Sequence, residues 1–486
     1  MKRWQCLVLV GGWNSSARHA VVGNGRNEVA EVKRMKNGSV SGVKEVRGEG
    51  GLCLKNCFEN IYICIFKIFR KMDKNKRGFT TGVLAARSTK PDPHGALNMP
   101  LYQNAAYEFP TAESMELAFT GRSADHAYSR ITNPTVEYFE QRVRQVTGAL
   151  SVTAFNSGMA AITNLLMTVA RAGSNVVTSP HLFGNTYSLL RSTLADFGVE
   201  TRFAEMTDPA SVEAAIDDHT CLVFLEIITN PQMEVADLAA LSAVCRAQGV
   251  PLVADTTVVP FHVFRASDFG VDLEVVSSTK YLSGGATGLG GLLIDYGTFD
   301  WSRSPKLSAA AAGYGVAPRE AFTAKLRREI HRNLGAYMTP QAAWQQSLGL
   351  ETLEVRYGRA STTALRLAQE LETMPGVVSV NYPGLASNRF HEVAVRQFGS
   401  APGAMLTFDL ASQEACYAFL DRLLLIRRAT NLFDNKSLAI HPWSTIFGPF
   451  SEAARRDMDI SPCTIRLSVG LEDAEDLKKD ILQALV

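Results

Sequence analysis

The 486-residue chain has no long uninterrupted apolar run. In its N-terminal region the run Ile61–Phe66 falls far short of the roughly 20 residues a membrane-crossing helix needs, so no membrane partner is expected. Charge of one sign is also missing in excess. Lys and Arg total 49 against 48 Asp and Glu, a formal net charge of +1, which argues against nucleic acid or an anionic lipid surface as the main partner. The eight cysteines form no C-x-x-C pair. Cys221, Cys245, Cys416 and Cys463 have no histidine at ligand spacing, so they read as small buried hydrophobes in a reducing cytosol, with no metal site. Internal repeats and low-complexity segments are absent from the part expected to fold.

What is present is a soluble, globular composition, with 46% hydrophobic and 20% charged residues. The length exceeds one ordinary core and predicts two domains plus appendages. Residues 1–72 stand apart: 13 Lys and Arg against five Glu make them basic, and no helical or strand periodicity runs through the first 50. The expectation is an unstructured extension, with Met72 an alternative start. Residues 73–133 read as an arm with little core of its own. Asn133-Pro134 then marks a turn whose proline can open a helix ending near Gly148. From Val152 to Asp295 short apolar strands alternate with helical patterns, as in a mainly parallel α/β sheet. That domain is expected to occupy 134–330, and a smaller α+β domain 331–486.

Within the alternating region, Leu273–Gly285 reads L-E-V-V-S-S-T-K-Y-L-S-G-G. An apolar strand ends in hydroxyls, then a lysine, then a glycine-rich turn. A lysine past a buried strand end sits where desolvation lowers its pKa, as an amine nucleophile requires, and the hydroxyls suit a phosphate. Open parallel sheets bind ligands beyond the carboxyl ends of their strands. Two other groups share that location. Asn156-Ser157-Gly158-Met159 joins a strand to a helix whose free amides can hold an anion. Asp255 ends V-P-L-V-A-D as a carboxylate leaving an apolar strand, where a protonated pyridine nitrogen would be a partner. Singly, Asp255 is better explained by a helix or turn cap and Lys280 by a solvated loop residue; together they make a phosphate site, a pyridinium partner and an amine. The glycines of G-G-A-T-G-L-G-G precede a strand instead of following one, so they predict a close-packed turn and not a dinucleotide fingerprint.

These motifs resemble the pyridoxal-phosphate enzymes of cysteine and methionine metabolism, from about Gly78 to the C-terminus. The resemblance implies fold type I, pyridoxal 5'-phosphate as cofactor, and a cytoplasmic homotetramer built from active dimers. It implies that S-S-T-K-Y-L-S-G makes Lys280 the Schiff-base lysine, with Ser277 and Thr279 on the phosphate beside Gly158 and Met159. Y-S-R-I-T-N-P-T implies that Tyr128 and Arg130 reach the phosphate of the neighbouring chain. V-A-D-T-T implies Asp255 as pyridinium partner, E-I-I-T-N-P places Asn230 near cofactor and substrate, and T-I-R-L-S-V-G makes Arg466 the clamp on the substrate carboxylate.

Two departures bear on the reaction. The family's usual Y-G-x-T reads L-F-G-N-T here, so Phe183 can stack on the cofactor ring but cannot donate a proton. A departing thiolate needs such a proton more than acetate does. The family's S-L-G reads Asn431-Leu432-Phe433, and an asparagine there resembles the sulfhydrylase branch. Phe433 and Trp443 are expected to alter the substrate entrance. The resulting expectation is γ-replacement or γ-elimination on an activated homoserine ester, with sulfide or a thiol as second substrate. A methionine or cystathionine lyase or synthase is the runner-up within the family. A fold-type-I aminotransferase and a non-catalytic homologue are the alternatives outside it.

Overall fold

The computed structural model describes residues 77–88 and 92–486 in full, and before them the backbone of five strands between residues 6 and 40. The chain divides into two units, Met1–Arg77 and Gly78–Val486. In the first unit, β1 (Cys6–Leu9), β2 (His19–Asn24) and β3 (Glu28–Lys33) form an antiparallel sheet, and β4 (Met35–Lys36) pairs with β5 (Ser39–Val40). Strands thus stand where the sequence led us to expect none. The rest of 1–72 lies outside the described residues.

The second unit holds a seven-stranded sheet made from β6 (Ser151–Phe155), β7 (Asn175–Thr178), β8 (Glu200–Phe203), β9 (Thr220–Glu226), β10 (Leu252–Asp255), β11 (Leu273–Val276) and β12 (Gly291–Asp295). Its order is β6-β12-β11-β10-β9-β7-β8, and β12 alone runs antiparallel to its neighbours. Strands β7, β10, β11 and β12 are almost wholly buried, as a sheet covered on both faces requires. The strand at Glu200–Phe203 escaped the sequence reading because it is an edge strand, half exposed and interrupted by Glu200 and Arg202. The register places Glu226, Asp255 and Val275 side by side, and pairs Val276 with Leu292 and Gly291 with Phe155. The segments leaving Phe155, Glu226, Asp255 and Val276 therefore emerge along one edge.

Helices begin where the sequence supplies caps. Asn133 accepts from the Thr135 amide at 2.9 Å with Pro134 in the first turn, and Gly148 closes that helix at φ +71°. Asp237 likewise caps the helix Leu238–Gln248. The segment after Phe183 is broken into Gly184–Ser188, a π-turn at Leu189–Thr193 and a short turn at Ala195–Phe197.

A second sheet, β13 (Ser379–Asn381), β14 (Met405–Asp409), β15 (Arg427–Arg428), β16 (Leu438–Ile440) and β17 (Thr464–Ser468), runs β13-β14-β17-β16-β15. All its pairings are antiparallel except β15 with β16. The 19-residue helix Leu353–Leu371 packs on this sheet and on the turn after Lys280, and one apolar core runs through both. Among the described residues no helix is long and apolar enough to cross a membrane, and no cluster of His, Cys, Asp or Glu could hold a metal ion.

Candidate active site

The carboxyl edge of the large sheet carries the acids. Asp255 is fixed by its own turn: its Oδ1 accepts from the Thr257 amide at 3.0 Å and the Thr257 hydroxyl at 2.6 Å. The turn-cap reading and the functional one thus describe the same geometry. Burial raises the Asp255 pKa, against these hydrogen bonds and the charge of Lys280. On the neighbouring strand Glu226 is buried too, and its Oε1 accepts from the Phe183 amide at 2.6 Å. Burial and the Asp255 charge raise the Glu226 pKa well above the usual carboxylate range, which favours its neutral form. Sequence reasoning passed over Glu226, although it ends an apolar strand just as Asp255 does.

The hydroxyl stretch after Val276 forms a close-packed crossing. The helix Gly158–Val169 starts here, with Ser157 capping the Ala160 amide at 3.1 Å. A Cβ on Gly158 would lie 2.9 Å from the Ser277 Cβ, so glycine is what lets the helix start reach the serine. The amides of the first turn have no intrahelical acceptors and, with Ser277, make a cradle for a phosphate. Thr279 is committed elsewhere: its hydroxyl donates to the Gly290 carbonyl at 3.2 Å and accepts from the Gly290 amide at 3.0 Å. A phosphate would have to displace the first of these. These bonds make the glycine run the packed turn expected of it. Met159 lies in the first helical turn, its Sδ accepting from the Thr186 hydroxyl at 3.7 Å.

Lys280 follows at once, and the second sheet meets it. Its Nζ donates to Asn431 Oδ1 at 2.7 Å. Burial and the nearby Arg466 charge lower its pKa to about 8, with Asp255 opposing, so the neutral amine is within easy reach at physiological pH. Arg466, on β17, is 2% exposed. It donates to Asn230 Oδ1 at 3.1 Å and to the main-chain carbonyls of Thr430 and Asn431 at 3.2 and 3.4 Å. Its buried Nε has no partner. Burial brings the guanidinium down to about 9, still cationic at neutral pH. A buried cation with a spare donor and only neutral acceptors suits an incoming carboxylate. Lys280, Asn431, Arg466 and Asn230 thus form one hydrogen-bonded chain. Tyr128 and Arg130 form a pair of their own on the arm: the Arg130 guanidinium lies 5.5 Å from the Tyr128 ring centroid and donates to the Arg332 carbonyl.

Two expectations need correction. Phe433 is only 2% exposed and stacks on Tyr281, and Trp443 is 8% exposed in a small cluster with Phe447, Met458 and Ile460. Neither side chain faces an entrance. Sequence reading also missed a network beside Phe183. His181 bonds Glu234 through Nδ1 at 2.6 Å and meets Asp459 through Nε2 at 3.2 Å, while Arg389 pairs with Glu234 at 2.9 Å. It joins the Phe183 loop to residues of the C-terminal half that are distant in sequence, which no local pattern announces.

The buried Asp255, its pKa raised by burial, fits a protonated pyridine nitrogen. The Gly158–Ser277 cradle fits its phosphate, and Lys280 fits its aldehyde. Comparison with known proteins agrees. Residues 80–486 match the model for the Cys/Met metabolism PLP-dependent enzymes. The structure of an O-acetylhomoserine sulfhydrylase of Wolinella succinogenes is 48% identical, with a TM-score of 0.65, over 74% of this chain and 99% of that one. That of an O-acetylhomoserine (thiol)-lyase candidate from Campylobacter jejuni subsp. jejuni NCTC 11168 aligns with a TM-score of 0.80 at 33% identity. It covers 84% of this chain and 100% of that one, and holds a pyridoxyl-lysine monophosphate at its own position 205. L-Methionine gamma-lyase of Pseudomonas putida is 35% identical over 85% of this chain and 97% of its own. The chain belongs to the Cys/Met metabolism PLP-dependent enzyme family, and pyridoxal 5'-phosphate is its cofactor.

Proposed function

We propose that this enzyme replaces the γ-substituent of an activated homoserine ester, O-acetylhomoserine first, with sulfide or a thiol, giving homocysteine or methionine. The observation that carries the choice is Phe183. Its amide is anchored on Glu226, so the residue sits at the site edge, yet its ring has no proton to give. Acetate leaves as a stable anion without one, whereas a thiolate departs far better when protonated, and general acid catalysis is worth roughly 10²–10⁴-fold. The similarity to a sulfhydrylase at 48% identity supports the same reading.

Bound pyridoxal phosphate supplies an electron sink for the charge left when the substrate loses its α-proton. Asp255 would hold the pyridinium nitrogen, Ser277, Thr279 and the Gly158 and Met159 amides the phosphate, and Phe183 the ring face. Arg466 and Asn230 would fix the substrate carboxylate, with Asn431 beside the reacting amine. Lys280 Nζ would take the α-proton and, once it has passed that proton on, remove a β-proton so that the γ-substituent can leave. Tyr128 and Arg130 would serve the phosphate of a neighbouring chain, making the working unit a dimer within a homotetramer, in the cytoplasm. Functionally, residues 73–133 are then the arm, 134–330 the cofactor domain, 331–486 the C-terminal domain and 1–72 an extension.

The test is a comparison of O-acetylhomoserine plus sulfide with methionine alone. Homocysteine formation from the ester should be much the faster. If methionine yields 2-oxobutanoate faster than the ester yields homocysteine, the ester reading is wrong.

A further inference from the structure

Phe433 stands in a backbone conformation that side chains avoid, with φ at +57°. Such strain persists only where the surroundings over-determine it, and here they do. The ring is buried and stacks on Tyr281, with centroids 4.3 Å apart and planes 14° from parallel. Tyr281 is the residue after Lys280 and is itself immobile. Its hydroxyl accepts from the Ala404 amide at 2.9 Å, its carbonyl from Arg356 at 2.7 Å, and Tyr357 meets its ring edge-on at 5.3 Å. The Phe433 amide donates to the Ser468 hydroxyl at 2.7 Å, on the same strand as Arg466. Two residues upstream lies Asn431, whose side chain accepts from Lys280 and whose carbonyl accepts from Arg466. The turn 430–433 is therefore pinned between the lysine segment and the arginine strand, and the aromatic stack and the Asn431–Lys280 bond attach it to the lysine segment.

We propose that Phe433 is a positioning residue, its ring holding the 430–433 turn against Tyr281 so that the Asn431 amide oxygen stays on the Lys280 amine. A glycine at 433 would adopt the same φ without strain, but would leave the turn unattached to Tyr281. Asn431 would then lose its grip on Lys280. The amine is faced by Asp255, which favours its charged form, and by Arg466, which disfavours it. Asn431 adds an acceptor that also favours the charged form. Losing that acceptor frees more neutral, mobile amine at a given pH. This rests on Lys280 being the reacting amine of the proposed function, but not on which γ-substituent leaves.

The experiment is trace acetylation of the cofactor-stripped full-length chain with acetic anhydride from pH 6 to 10, read at Lys280 by mass spectrometry. Phe433→Gly should raise Lys280 labelling at pH 7.5 about threefold or more and move its midpoint downward, a change of the size expected for losing one hydrogen bond to a charged group. Asn431→Ala should do the same, and Phe433→Gly added to Asn431→Ala should do nothing further, because both act through one contact. Phe433→Leu, which keeps apolar bulk but not the flat face, should give a smaller rise in the same direction and serves if the glycine variant fails to fold. Unchanged labelling in the Phe433 variants, or an undiminished Phe433→Gly effect in the Asn431→Ala background, overturns the proposal. The readout is the amine's own protonation, so it stays informative even if the enzyme proves to prefer methionine over the ester.

Discussion

The large sheet brings acids to the site and the second sheet brings a cation, and the two are held by different means. Asp255 and Glu226 are placed by backbone register, as neighbours at the ends of adjacent parallel strands, and burial raises both. Arg466 also sits on a strand, but what surrounds it is a turn held by side chains: Asn431 on Lys280, Phe433 on Tyr281 and Ser468. Register is enforced by many hydrogen bonds at once and resists single changes. A turn held by a few side-chain contacts does not. The site therefore has a rigid cofactor side and an adjustable substrate side, and differences in substrate within this architecture are expected on the second.

Removing the amine where the two sides meet should have the largest effect. Lys280→Ala is expected to lower turnover by at least about 10³-fold, because no other described amine lies at the strand end. Retained activity in a steady-state assay would remove Lys280 from the mechanism. On the adjustable side, Arg466→Lys keeps the charge but loses the planar fork. It should raise KM for the amino-acid substrate about 10–100-fold, with less change in kcat, as loss of a bidentate pair costs about 1.5–3 kcal/mol. A change confined to kcat would place Arg466 elsewhere than on the carboxylate.

The smallest effect is expected where the two sides are tied together. Burial opposes charging of His181, but its bond to Glu234 and the charges of Glu234, Asp459 and Glu205 outweigh that and raise its pKa above the ordinary histidine value. A raised folded pKa means stabilisation that is complete below the unfolded pKa and is lost as pH rises through the folded one. The unfolding free energy of the wild type from urea titration should therefore exceed that of His181→Gln by more at pH 6 than at pH 9, by about 1 kcal/mol. An equal gap at both pH values would show that the network holds without the histidine charge.

How much of this was legible in the sequence follows the same division. Strands buried on both faces announce themselves as short apolar runs, as Asn175–Thr178 does within the alternating region. The Asn133-Pro134 turn marked one helix start, and the strand-to-helix junction at Ser157 another. The edge strand Glu200–Phe203 and the π-turn after Ser188 carry no such signal, because one is half polar and the other is set by packing. In the site, Lys280, Asp255 and the Gly158 loop could be found as strand-end residues. The contact of Lys280 with Asn431 joins residues 151 positions apart, and the burial of Phe433 depends on where Tyr281 lies. Long-range side-chain contacts of this kind have no local pattern from which to read them.

The central claim is that a ring without a proton donor, held at the site edge by Glu226, directs the enzyme toward a substrate whose leaving group needs no proton. Phe183→Tyr tests it most directly, by kcat/KM for methionine elimination and for O-acetylhomoserine with sulfide in the same preparation. The methionine reaction should rise by about 10²-fold, with the ester reaction within about threefold of wild type. An unchanged methionine rate in a variant that binds cofactor normally, or a wild type that already prefers methionine, would contradict it.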